Sequence, residues 1–118
     1  MAQRHVFTSI KELPGKEITR GVTIRPLAGN HVMLNYVEFQ PHAEVPTHSH
    51  PHEQLGLMIE GQLDLWVGDD RRTLLPGDTY VIPGGLPHGA RAGASPALVL
   101  DVFYPLREDY LKLVGGAD

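Results

Sequence analysis

An all-β sandwich or barrel closed by a short C-terminal helix is the fold class this sequence predicts, and three observations predict it. Turn signals recur along the chain, at Pro14-Gly15, Gly29-Asn30, Gly68-Asp69-Asp70, Pro76-Gly77-Asp78, Pro83-Gly84-Gly85 and Gly93 to Pro96. With 13 Gly and 10 Pro spread over 118 residues, long helices have little room. Between the turns lie short runs rich in Val, Leu, Ile and aromatic residues.

Those runs are the expected strands: residues 18–25, 31–39, 54–60, 62–67, 72–75, 79–82, 88–92 and 97–104. Side chains alternate faces along a strand. In 54–60, Gln54, Gly56, Met58 and Glu60 therefore share one face, and Leu55, Leu57 and Ile59 the other. If Gln54 points into the barrel, the three aliphatics point out and need a cover. A second sheet layer, the N-terminal segment or another subunit would serve, which makes a homodimer an expectation. Only the end reads as helix: Pro105 precedes Leu-Arg-Glu-Asp-Tyr-Leu-Lys-Leu, Glu108 and Lys112 stand at i, i+4, and Gly115-Gly116 supplies a stop. One or two turns are expected there.

Composition narrows the function classes. A length of 118 residues suits one domain with one core. Net charge is −4, so electrostatics gives no reason to expect a nucleic-acid partner. No apolar run approaches a membrane span, and Met-Ala-Gln-Arg-His is not the start of a signal peptide, so a cytoplasmic protein is expected. There is no cysteine, so any metal must be held by His, carboxylate, amide or backbone oxygen.

Histidine supplies 7 of the residues, and three crowd into His48-Ser49-His50-Pro51-His52. In a strand, His48 and His50 would project to the same face, where neutral imidazoles can grip a divalent ion. Gln54 has the same parity, and its amide oxygen can be a third ligand. His88 follows the Gly84-Gly85-Leu86-Pro87 turn into another strand and can close the set from across a barrel. A His-x-His pair by itself also occurs on ordinary surfaces. His5, His31, His42 and His52 have no evident partners and read as surface or packing residues, with His52 a spare beside the pocket.

The closing strand carries a second constellation. Asp101 shares a face with Ala97, Val99 and Phe103, and a carboxylate in an apolar strand needs a reason. Two readings stand: a salt bridge or turn hydrogen bond that closes the barrel, or a general acid/base at the pocket mouth with Phe103 as an apolar wall. Arg107 is either an exposed helix-start arginine or a clamp that holds a substrate carboxylate with two parallel hydrogen bonds.

At two separate places the sequence is similar to the cupin superfamily. The first cupin motif is His-x-His, three residues, Glu or Gln, six residues, Gly; here His48-Ser49-His50 is followed at those spacings by Gln54 and Gly61. The second is Gly, five residues, Pro-x-Gly, two residues, His; here it is Gly77, Pro83-Gly84-Gly85 and His88. The 15 residues between Gly61 and Gly77 suit the intermotif loop. His42 stands where a Gly is often found and Ala92 where an Asn can occur, and neither is a ligand position. The resemblance implies a double-stranded β-helix, or jelly-roll barrel, with residues 1–118 as one cupin domain. It implies one divalent ion on His48, His50, Gln54 and His88. Zn, Ni, Co, Mn and Fe all suit such ligands. With Gln in place of Glu, the ligands leave the ion its full +2 charge, which favours an anionic substrate and disfavours oxygen chemistry.

A narrower likeness joins His-Ser-His-Pro-His-Glu-Gln (48–54) to Asp-Val-Phe-x-Pro-x-Arg-Glu-Asp-Tyr (101–110). This pair resembles the KdgF-type cupins of pectin and alginate breakdown, which linearise 4,5-unsaturated monouronates. The likeness runs from about residue 44 to 111. It implies pocket roles for Asp101, Phe103 and Arg107, with Asp101 and Arg107 in the chemistry. Gly56 and Met58, on the face of Gln54, are the further candidates for substrate contact, Gly56 by leaving floor space for a sugar ring. Another cupin metalloenzyme (isomerase, decarboxylase or dioxygenase) and a non-catalytic sugar-binding cupin are the alternatives.

Overall fold

The computed structural model describes residues 7–115. Ten strands follow a 3₁₀ turn at Ile10–Glu12: β1 Lys16–Thr19, β2 Val22–Ala28, β3 Met33–Phe39, β4 Glu44–His48, β5 Glu53–Glu60, β6 Leu63–Val67, β7 Asp70–Leu74, β8 Thr79–Ile82, β9 His88–Ala92 and β10 Ala97–Tyr104. One helix, α1 Glu108–Leu113, ends the described chain. The strands form a six-stranded sheet ordered β1-β2-β3-β10-β5-β8 and a four-stranded sheet ordered β4-β9-β6-β7. Every strand pair is antiparallel, and the chain crosses between sheets as a jelly roll does.

Three element readings change. The run 18–25 is a hairpin rather than one strand, because Gly21 takes a left-handed φ of 81° and reverses the chain between β1 and β2. The strand β4 is absent from the sequence reading: it is short, holds Pro46, and buries none of its residues fully. It also ends at His48, so His50 lies in the loop after it and shares no strand with His48. In the β6–β7 hairpin, Val67 pairs with Asp70, so the loop is only Gly68-Asp69 and β7 starts two residues ahead of the expected run.

Inward residues of the large sheet lie in rows set by register. One row joins Met58, Val99, Val37 and Ile24, all buried and apolar. The next joins Tyr80, Gly56, Asp101, Asn35 and Pro26. The last joins Ile82, Gln54, Phe103 and Met33. The barrel is therefore apolar toward one end and carries its buried polar groups toward the other. The outward row behaves as the parity argument requires: Leu55 and Leu57 are 45% and 38% exposed, and Val81, the register partner of Leu55, is 57% exposed.

Candidate metal centre and pocket

His48 and His88 are direct register partners, at the end of β4 and the start of β9. Their ring centroids are 4.4 Å apart, and those of His50 and His88 are 4.8 Å apart. The second motif's turn holds the first motif's bend in place. The Gly85 N–H donates to the His50 carbonyl at 2.8 Å, and Gly85 takes a φ of 83°. A Cβ on Gly84 would collide with the Pro51 carbonyl. Glycine at these two positions thus lets the turn approach the backbone that carries His50. Gln54, second residue of β5, faces them from the other sheet.

The donor set suits a divalent ion. The ring nitrogens of His48, His50 and His88 lie within 4.8 Å of one another. The Nδ1 of His48 donates to the Pro46 carbonyl and that of His88 to the Leu86 carbonyl, both at 2.8 Å. A carbonyl can only accept, so both rings carry their proton on Nδ1 and turn an Nε2 lone pair toward the site. The buried Nε2 of His88 has no hydrogen-bond partner. His50 Nε2 and Gln54 Oε1 are 3.0 Å apart, close to the roughly 3–4 Å spacing of atoms bound at about 2.0–2.2 Å to one ion. Burial, with the charge of Arg107 and His88 nearby, lowers the His50 pKa to about 4, and burial also lowers that of His88. His50 is thus neutral, as a ligand must be, throughout the physiological range.

The polar end of the barrel gathers Asp101, Phe103 and Arg107 around this cluster. Asp101 is buried, and burial raises its pKa to about 6 against the opposing pull of hydrogen bonds from Tyr80 and Gln54 and the charge of Arg107. The Tyr80 hydroxyl donates to Asp101 Oδ1 at 2.5 Å. The Gln54 amide thus has His50 on its oxygen side and Asp101 as a second partner. A glutamate there would set two carboxylates against each other. Phe103 packs edge-on against His50 and Tyr110.

Arg107 is buried against the Tyr110 ring, with its guanidinium carbon 3.7 Å from the ring centroid, and also lies over Phe103. It is no exposed helix-start residue. Its fork is engaged: Nε and Nη2 donate to the two carboxylate oxygens of Asp109, at 3.3 and 2.8 Å. Partial burial raises the Asp109 pKa, but the Arg107 hydrogen bonds and charge outweigh it and hold the carboxyl below its ordinary value. A two-bond clamp on a substrate, one of the two readings from the sequence, therefore meets a competitor within the chain.

The cavity bounded by these groups is narrow, about 50 Å³, and reaches from His48, Gln54 and His88 down past Asp101, Asn35 and Tyr80. That is room for a few waters and not for a sugar ring. Gly56 and Met58 do not line it. The space over Gly56 is filled by the Tyr80 ring, so it is not floor space for a substrate, and Met58 is 1% exposed in the apolar core. His52 sits beside Phe103 and lines an open cleft of about 470 Å³ together with His31, Pro105, Leu106 and Asp109. Tyr80, Asn35, Asp109 and Tyr110 are the site residues the sequence reading did not assign. Only Asp109 and Tyr110 carried a signal, as part of the tail motif. Asn35 is 1% exposed, and its Oδ1 has no partner.

A barrel of this topology, with three histidines and an amide converging at one end, defines a cupin. The family model for the cupin domain matches residues 35–103, and the chain belongs to that family. Within it the chain is a KdgF-like cupin. It is similar to the structure of KdgF from Halomonas sp., with a TM-score of 0.81 and 30% identity over 87% of this chain and 97% of that one. It is 26% identical over 102 residues to the pectin degradation protein KdgF of Dickeya dadantii (strain 3937), covering 85% of this chain and 93% of that protein. It is also 41% identical over 61 residues to H2HPP isomerase of Bacillus subtilis, but this covers 51% of the chain and only 25% of that protein. Among the described residues, no helix is long and apolar enough to cross a membrane.

Proposed function

We propose that this chain is a metal-dependent cupin enzyme that opens the ring of 4,5-unsaturated monouronates. What carries the reading is the convergence of a buried carboxylate, an arginine and an aromatic wall on the candidate metal ligands at one end of the barrel. The likeness to two KdgF proteins over most of the chain supports it. His48, His50, Gln54 and His88 would hold one divalent ion. When bound, that ion supplies Lewis acidity and a +2 charge for the oxygens of an anionic substrate. In this reading residues 1–118 work as one cytoplasmic domain.

The reaction is an internal redistribution. The C1 hydroxyl loses its proton as the bond from C1 to the ring oxygen breaks, which leaves an aldehyde at C1. The electrons released at the ring oxygen give an enolate, which takes a proton at C4 and becomes a ketone. No atom is gained or lost. Asp101 receives the first proton and returns one at C4, acting in turn as general base and general acid from the wall of the cavity. Arg107 offers its charge and the N–H bonds that Asp109 does not take to the substrate carboxylate. Phe103 excludes water from the reacting edge. The sugar body lies at the mouth and in the cleft bordered by His52, because the inner cavity is too small for it.

The exposed row of Leu55, Leu57 and Val81 supports a homodimer through the outer face of the large sheet. A second activity is favoured by one observation, the 41% identity to H2HPP isomerase over 61 residues. It too is an isomerisation and would use the same ligands. The test of the main reading is Asp101→Ala, which should keep its metal and lose ring opening. Consumption of unsaturated galacturonate by that variant at the wild-type rate would sink the assignment.

A further inference from the structure

Tyr80 reaches the site from an unusual distance. Its strand, β8, is the edge of the large sheet, and β5 lies between it and β10. Tyr80 is the register partner of Gly56, and Gly56 is the partner of Asp101. Two interstrand spacings, about 10 Å in all, thus separate the backbones of Tyr80 and Asp101. The tyrosine side chain bridges that gap by lying over Gly56, and its hydroxyl donates to Asp101 Oδ1 at 2.5 Å. A Cβ built on Gly56 would overlap the hydroxyl-bearing end of the Tyr80 ring. Any side chain at 56 is therefore incompatible with this hydrogen bond, and the glycine is explained by the ring that crosses it.

The arrangement does more than fill space. A phenylalanine would pack the same volume with no buried hydroxyl to satisfy. The terminal torsion of an aspartate is soft and roughly two-fold, so a lone carboxylate is poorly aimed. Gln54 also bonds this carboxylate, and the Tyr80 hydroxyl fixes its Oδ1, which together remove that freedom.

We propose that Tyr80 is a positioning residue: its hydroxyl anchors one oxygen of Asp101 and aims the carboxylate at the reacting edge of the substrate, and Gly56 is the residue that lets it reach. The inference rests on the reading of Asp101 as the proton carrier. Misplacement of a reacting group by about 1 Å can cost up to 10²-fold in rate, and this sets the scale of the expected effect.

The test uses the full chain loaded with metal, as Tyr80→Phe, Gly56→Ala and the double variant. Tyr80→Phe should bind metal as the wild type does. Its kcat on an unsaturated monouronate should fall roughly 10–100-fold while KM stays within about 3-fold. Gly56→Ala should reproduce the fall, and the double variant should be no more than about 3-fold worse than the slower single one, because the same hydrogen bond is lost once. A crystal structure of loaded Tyr80→Phe should show the Asp101 carboxylate rotated or split between two orientations. A wild-type kcat in Tyr80→Phe, or an Asp101 carboxylate that has not moved, overturns the proposal. If the wild type itself consumes no uronate, the ring-opening reading fails, and the crystal structure still decides the part Tyr80 plays.

Discussion

Asp101 should be a residue that costs the fold stability, and Asp101→Asn measures how much. Burial raises its pKa from the ordinary 3.8 to about 6 in the metal-free protein. At about 1.36 kcal/mol for each pKa unit, the carboxylate carries a penalty of about 3 kcal/mol once ionised. The sign follows from linkage. Between pH 3.8 and about 6 the folded state holds the proton that the unfolded state has released, so stability falls as pH rises through that window and is flat above it. Asparagine has nearly the same shape, can still accept from Tyr80, and never ionises. Chelator-treated Asp101→Asn should therefore gain on the wild type by about 2–3 kcal/mol between pH 4 and pH 8, roughly 10 °C in melting temperature at pH 8. His50 titrates near 4 in both proteins and cancels in the comparison. The assay is urea unfolding of both proteins at the two pH values. A stability difference that does not change with pH would refute the account of Asp101 as a buried acid whose desolvation outweighs its hydrogen bonds.

Other expectations follow from the same geometry. Gln54→Glu should bind metal at least as well as the wild type but lose about 10-fold or more in turnover, because a second carboxylate then faces Asp101 and halves the net charge of the centre; metal analysis and rate on one sample check this. Asp109→Asn should release the Arg107 fork and lower KM for a carboxylate-bearing substrate several-fold, since a neutral amide competes less well than the present bidentate pair. Leu55→Lys with Val81→Lys should turn the proposed dimer into a monomer in light scattering, and a monomeric wild type would remove that part of the account.

Much of this was legible in the sequence because it is local. The two cupin motifs fix short-range geometry: the Gly84-Gly85 turn, the start of β9 at His88, and the parity of Gln54 on β5. Their spacing picks out His48, His50, Gln54 and His88 as candidate ligands without knowledge of how the sheets meet, and the structure brings these side chains together. The outward row 55, 57, 59 was equally legible, since alternation needs no tertiary information. What escaped depends on pairing between distant strands. Tyr80 lies 21 residues from Asp101 and meets it only through register across β5, so its place could not be read from either segment. Gly56 looks like open space in the sequence for the same reason, and the ring of its register partner Tyr80, on the adjacent strand β8, fills it. The Asp109 partner of Arg107 is not legible in the sequence, because a salt bridge two residues along depends on how α1 starts. β4 was missed because a strand with Pro46 and few buried side chains lacks the apolar pattern that marks the others.

The central claim is that the His48, His50, Gln54 and His88 cluster and the Asp101 carboxylate form one ring-opening site. Its most direct test is the ultraviolet absorbance of an unsaturated monouronate mixed with the purified protein, with metal content measured on the same sample. The account predicts about one divalent ion per chain and a loss of absorbance that stops on chelation and resumes when metal is restored. A fully loaded protein that leaves the absorbance unchanged over hours would contradict it.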